Sequence, residues 1–203
     1  MAHLITGRKK RARKPLFPGL RMRIRQIGSL AIRYKYQILA ALAILLLAIF
    51  ILAYFRKLVI MLVLMLLASV SMIYNRWVNL SIGVELIILA TVIAGIFYGA
   101  GIGVLVGIIT LLSAEIIGGR ADPRTVVSFI GIIVVGAVAH SFAPSQIRVA
   151  GITLTVLYDL IIIPGYIYVG SNPVKSVIFA ITHIAWNVLI FLNVAPLIVQ
   201  LML

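Results

Sequence analysis

The residues able to do chemistry in this chain are few, and their positions are unusual. Four acids (Glu85, Glu115, Asp122 and Asp159) and three histidines make up its carboxylates and imidazoles. Glu85, Glu115, Asp159, His140 and His183 all fall inside long apolar runs. A charge in hydrocarbon is costly, so such groups face a cavity or one another. Glu85 and Glu115 each lie about five residues from one end of their runs, on the side of Asn79 and Arg120. His183, Trp186 and Asn187 follow Asn172 by about 10–15 residues on that same side, and Asp159 sits near mid-run, five residues before Pro164. His140 alone lies at the far end of its run. This placement predicts a polar chamber opening on one side, lined by Glu85, Glu115, Arg120, His183 and Asn187, with Asp159 and Trp186 completing a ligand-binding set. The competing reading is a set of internal ion pairs and hydrogen bonds that only order the surrounding helices.

The elements that must position these groups follow from composition. The 203 residues are 64% hydrophobic and 11% charged, with mean hydropathy +1.22. Soluble domains average about 25% charged, and a water-soluble globule of this size could not hide so much apolar surface. Disorder is excluded by the same hydrophobicity. At roughly 20 residues per crossing, the chain predicts an all-α polytopic membrane bundle: a six-helix core plus one extra N-terminal hydrophobic helix. Spans are expected near 37–54, 58–74, 80–98, 102–119, 126–141, 149–169 and 177–200. Arg56-Lys57 separates the first two. Gly99-Ala100-Gly101 supplies a turn within a run too long for one crossing. Asp122-Pro123 and Asn172-Pro173 each read as an N-cap followed by proline at the first helical position.

The net charge of +14 belongs mostly to a tail. Eleven of 18 bases lie within residues 1–35, with no acid among them, so 1–35 is read as a basic cytoplasmic tail and 36–203 as the membrane domain. Arg8, Lys9, Lys10, Arg11, Arg13, Lys14, Arg21, Arg23 and Arg25 are expected to contact anionic lipid, at about 1 kcal/mol per base. The tail lacks the cleavage site of a secretory signal, and no aromatic interleaving or fold motif points to nucleic acid. With seven spans, 15 bases fall on the tail side against three opposite, which places the tail in the cytoplasm of a multi-pass cell-membrane protein. If 37–54 does not cross, the core inverts while the tail stays inside. The absence of Cys excludes disulfides and thiol-ligated metal sites.

Small residues recur at intervals of four: Ala90 and Ala94, then Gly95, Gly99, Gly103 and Gly107. In lipid this spacing lets helix backbones approach closely. It serves either internal packing or docking of another membrane subunit.

The run Asn79-Leu80-Ser81-Ile82-Gly83-Val84-Glu85, continuing through Phe97-Tyr98-Gly99 and Gly103-Val104-Leu105-Val106-Gly107 to Glu115-Ile116-Ile117-Gly118-Gly119, resembles the second and third helices of substrate-binding S components of energy-coupling-factor transporters. Asn172-Pro173, Asn187 and Ala195-Pro196-Leu197 are similar to their final helix. The resemblance covers about 57–200, and rod-shape-determining D-type membrane proteins, which would act as non-catalytic scaffolds, share much of it. An S component implies a six-helix bundle that captures a small vitamin-like molecule or ion, driven by a transmembrane coupling subunit and ATPases. No Walker A loop is present, so hydrolysis would fall to partners. The start of the chain lacks the Met-His of the nickel and cobalt members, so neither a metal nor a cofactor is implied. A clear Ala-x-x-x-Ala motif is missing from 58–74.

A second resemblance is enzymatic. Glu115 and Arg120 are spaced as the outer residues of the Glu-Glu-x-x-x-Arg motif of prenyl-protein endopeptidases and bacteriocin-immunity proteins. His140 matches their second motif, and His183 with Asn187 matches their His-x-x-x-Asn. In that family Glu and His would activate water while His and Asn hold the oxyanion. Here Ile116 stands in place of the second Glu, Gly136 in place of an expected Phe, and Glu115 and His140 differ in depth by roughly 16 Å. No Gly-x-Ser-x-Gly, His-Glu-x-x-His or Gly-x-Gly-Asp motif occurs.

Overall fold

A computed structural model describes residues 34–77, 82–119 and 122–203, without the side chains of Leu52 and Tyr54. The expected lipid contacts of the tail and the ligand role of Arg120 therefore lie outside the described residues. Packing divides the chain into two units, Met1–Ile51 and Leu52–Leu203. No described residue of the first unit is buried.

Every described element is helical. Helix α1 spans Lys35–Val70 and leaves helical geometry at Phe55 (φ −111°, ψ 18°). The expected break at Arg56-Lys57 is thus a single non-helical residue with helix on either side. A 3₁₀ turn, Ile73–Arg76, follows. Then come α2 (Ile87–Tyr98), α3 (Ala100–Gly118), α4 (Pro123–Ala139), α5 (Ile147–Tyr168), α6 (Pro173–Leu189), a π turn at Ile190–Val194 and α7 (Ala195–Met202).

Four segments are long and apolar enough to cross a membrane: Phe55–Arg76, Ala100–Gly118, Pro144–Tyr168 and Pro173–Met202. Lys35–Ile51, α2 and α4 are apolar but shorter. On α3, Ile102, Leu105, Ile109, Leu112 and Ile116 form an exposed stripe at helical spacing. Exposed apolar residues also cover α1, α4, α5 and α6, an arrangement that an apolar solvent satisfies. The chain is a membrane protein.

Helix α2 is the hub of the second unit. All of Ile87–Gly95 is buried, as expected of a helix apolar on every side, and α3, α4 and α5 pack around it. It corrects the expected span at 80–98. The helix begins only at Ile87, and its 12 residues reach about 18 Å, well short of the hydrocarbon thickness of about 30 Å. Residues 82–85 precede it as non-helical chain. Backbone of that kind is tolerated at membrane depth only where protein satisfies it, and here it does. Gly83 N–H donates to Thr182 Oγ1 (2.9 Å), Leu86 N–H to Ser71 Oγ (3.2 Å), and Ile82 carbonyl accepts from Tyr74 Oη (2.6 Å).

The predicted caps form. Asp122 accepts from Arg124 N–H (2.7 Å), Thr125 Oγ1 closes the capping box, and Asn172 accepts from Val174 and Lys175 N–H (2.9 and 3.3 Å). The turn between α2 and α3 is made at Gly99, whose φ of 90° is open to glycine and strained for other residues. The small residues pack inward. Ala90 and Ala94 are fully buried. A Cβ on Gly95 would meet that of Ala139 at 2.6 Å, one on Gly103 would lie 2.7 Å from Gly95 Cα, and one on Gly107 would lie 2.4 Å from Ile132. That space is filled by the chain's own helices, which corrects the docking alternative at Ala90, Ala94, Gly95, Gly103 and Gly107. Gly99 has open space around it.

Candidate functional site

The most polar part of the second unit lies where the 3₁₀ turn, residues 82–86, the C-terminal turn of α3, the start of α4, the second half of α5 and α6 meet. At its centre is His183, wholly buried. Its Nδ1 faces both oxygens of Asp159 on α5 (2.9 and 3.0 Å), and its Nε2 faces Glu85 Oε1 (2.9 Å). A neutral imidazole has one donor nitrogen and one acceptor nitrogen. Two carboxylates can be satisfied only if the ring is an imidazolium or one carboxyl keeps its proton. The cluster therefore holds at least two protons among three residues.

Glu85 has a second task. Its carboxylate accepts from the N–H groups of Ile87 and Ile88, the first residues of α2. It thereby caps a helix that has no Ser, Thr or Asn at its start and places negative charge at the positive end of the helix dipole. The Glu85 carbonyl accepts from Trp186 Nε1 (2.9 Å). Phe179 stacks on the His183 ring (centroids 5.4 Å apart, planes at 15°), and Tyr158 lies at the same distance, tilted by 50°. The close approach of residues 82–86 to α6 depends on Gly83, where a Cβ would lie 2.3 Å from His183 Cβ.

Two adjoining hollows open from this cluster. The inner cavity, of about 50 Å³, has Glu85, His183, Tyr158, Tyr166, Ser128 and Glu115 among its walls. The outer cleft, of about 70 Å³, shares Met72, Ile82, Glu115, Tyr166 and Phe179 with it and adds Asn75, Asp122, Arg124, Thr125, Lys175 and two serines. Ser128 Oγ and Tyr166 Oη share a 2.6 Å hydrogen bond on the inner wall. Arg124 is paired with Asp122 at the cleft. Asn75 Oδ1 is buried without a hydrogen-bond partner, in a residue 6% exposed. Protein interiors seldom leave a polar atom so.

No family model, curated protein or solved structure matches the chain. The site's chemistry therefore rests on its own geometry. Of the expected ligand set, Glu85, Glu115 and His183 share the inner cavity. Asp159 is 1% exposed and lies behind His183 as its partner. Trp186 holds the Glu85 carbonyl, and Asn187 Nδ2 donates to the His183 carbonyl (3.1 Å). Neither Trp186 nor Asn187 lines either of these two hollows; both belong to the hydrogen-bond network behind them. His140 is exposed at the opposite end of α4, its Nδ1 bonded to Ala137 carbonyl. About 18 residues separate it from Asp122, some 27 Å along a helix. It cannot join Glu115 and His183, so the protease constellation does not assemble.

Several wall residues carry little signal in the sequence. Tyr158 is marked only by its neighbour Asp159. Ser128 lies on the buried face of α4 with Thr125, Gly131, Ile132 and Val135, a polar residue where the helical period calls for an apolar one. Phe179 and Tyr166 look like ordinary aromatic packing, and Asn75 like part of a loop.

Proposed function

We propose that the protein is a substrate-capturing membrane transport component of the S-component type, which binds a small molecule in the chamber between the 3₁₀ turn, residues 82–86 and helices α4–α6. The observation that carries this reading is the paired hollow whose walls include a buried, unpartnered acceptor, Asn75 Oδ1. A ligand with a hydrogen-bond donor would complete it. The inner cavity has room for a few waters or a group of that size, so the body of a ligand would occupy the outer cleft and send one polar group inward. Aromatic faces at Phe179, Tyr158 and Tyr166 would flank that group.

In this reading Pro173–Met202 counts as one membrane helix, and six helical passes form the core after residue 54. The Glu85–His183–Asp159 network holds residues 82–86 against α5 and α6, so the chamber is preformed. The chamber contains no nucleotide-binding loop, and energy would come from a coupling subunit with ATPases. In the cell membrane this arrangement would leave the basic tail in the cytoplasm.

The test is chemical. Full-length protein purified gently from its membranes is denatured, and the released small molecules are compared with those from Asn75→Ala and Lys175→Ala. The expected result is a molecule at near-stoichiometric yield in the wild type, lost from Asn75→Ala, together with copurifying ATPase subunits. Identical small-molecule profiles for folded wild type and both variants would contradict the reading.

A further inference from the structure

The opposite end of the second unit carries a different polar feature. Arg56 and Lys57 follow the non-helical residue Phe55 on α1, and with Ala53, Leu58 and Tyr98 they line an open cleft of about 260 Å³. Lys57 Nζ stands over the Phe97 ring, 5.7 Å from its centroid. Neither cation has a carboxylate partner among the described residues. All four acidic side chains belong to the chamber region: Glu85 and Asp159 flank His183, Glu115 lines both hollows, and Asp122 caps α4. From Arg56 to Asn75 the chain rises about 28 Å, close to the thickness of a bilayer's hydrocarbon. The cleft thus lies at the far membrane boundary from the chamber.

Its composition is that of a lipid headgroup site. The walls combine two cations and a phenol with apolar groups (Ala53, Phe55, Leu58), and Leu58 and Phe55 are half exposed on the surface that meets acyl chains. A phosphodiester offers two non-bridging oxygens, which suit the guanidinium fork of Arg56 and the ammonium of Lys57. Tyr98, at the end of α2, adds a hydroxyl at headgroup level. We infer that this cleft binds the phosphate of an anionic phospholipid, with Arg56 and Lys57 as its ligands and one acyl chain lying along Phe55 and Leu58. A free anion would gain nothing from the apolar half of the cleft.

The experiment is native mass spectrometry of the full chain in detergent, titrated with phosphatidylglycerol or phosphatidylcholine. The tail contributes the same background attraction to every variant, so the readout is the difference between variants. The wild type should retain one more phosphatidylglycerol than Arg56→Gln/Lys57→Gln, whose affinity at that site should fall about 30-fold for two bases near the surface. Arg148→Gln, which removes a cation at the same end but outside the cleft, should keep the lipid. Excess inorganic phosphate should not displace it. Equal retention by wild type and the double variant, equal retention of phosphatidylcholine, or displacement by phosphate would each overturn the assignment. If the double variant does not fold, Ala53→Phe fills the cleft with both charges intact and must lose the same lipid, and its retention would be equally decisive against the site.

Discussion

At the scale of single residues, His183 and the two carboxylates that bracket it hold the polar end of the second unit together. Burying such a cluster is costly, and the network is stable only while every partner is present. Asp159→Ala leaves the His183 ring facing an empty site and should destabilise the protein by about 3–5 kcal/mol, read as a lowered unfolding midpoint in detergent. Asp159→Asn keeps an acceptor for the ring and should lose distinctly less. Gly83→Ala is expected to behave like a large core substitution although it adds one methyl, because its Cβ would strike the His183 backbone and Cβ at 2.3–2.8 Å. The readout is the same midpoint. A neutral Gly83→Ala would mean that residues 82–86 do not pack on α6. The sequence makes the ingredients of this cluster visible, since ionisable groups in apolar runs are conspicuous. It does not reveal their pairing: Asp159 and His183 are joined through the packing of α5 on α6, and nothing in their spacing of 24 residues announces a contact.

At the scale of elements, helix starts were legible where local chemistry decides them. Asp122-Pro123 and Asn172-Pro173 cap α4 and α6 as their residue types require. The start of α2 was not legible. Its cap is the side chain of Glu85, and the apolar run beginning at Leu80 reads as one continuous helix because hydropathy cannot distinguish helix from extended chain when both are buried. Likewise the π turn at Ile190–Val194 precedes Pro196, which cannot donate to the preceding turn, yet the apolar run gives no sign of the widening. The ladder of small residues gives the clearest prediction for an element. Gly103→Leu forces side-chain atoms into the backbone of Gly95 and the carbonyl of Gly136 (2.7 and 2.9 Å from an added Cβ). It should abolish the α2–α3–α4 packing and the monodisperse protein. Gly101→Leu, with nothing within 4 Å, should be tolerated. Equal behaviour of the two variants would show that the ladder does not pack internally.

At the scale of the whole molecule, composition alone settles the solvent: this much exposed Ile, Leu and Val belongs in lipid. It leaves open which polar groups face water, because that depends on how the helices turn their buried faces. The structure gathers the acids toward one end of the second unit and leaves Arg56, Lys57 and Arg148 at the other. If the hollows beside His183 form the proposed chamber, they should be reached by water from one face of the membrane. Because the chain has no cysteine, a single introduced thiol reports its own surroundings. In sealed membrane vesicles of known orientation, a membrane-impermeant maleimide should label Ser171→Cys, at the outer cleft, from one side only. It should label Arg148→Cys only from the other side, and Ile130→Cys, on the exposed apolar face of α4, from neither. Labelling of Ser171→Cys and Arg148→Cys from the same side, or of Ile130→Cys as readily as either, would contradict a chamber opening at one face of the membrane.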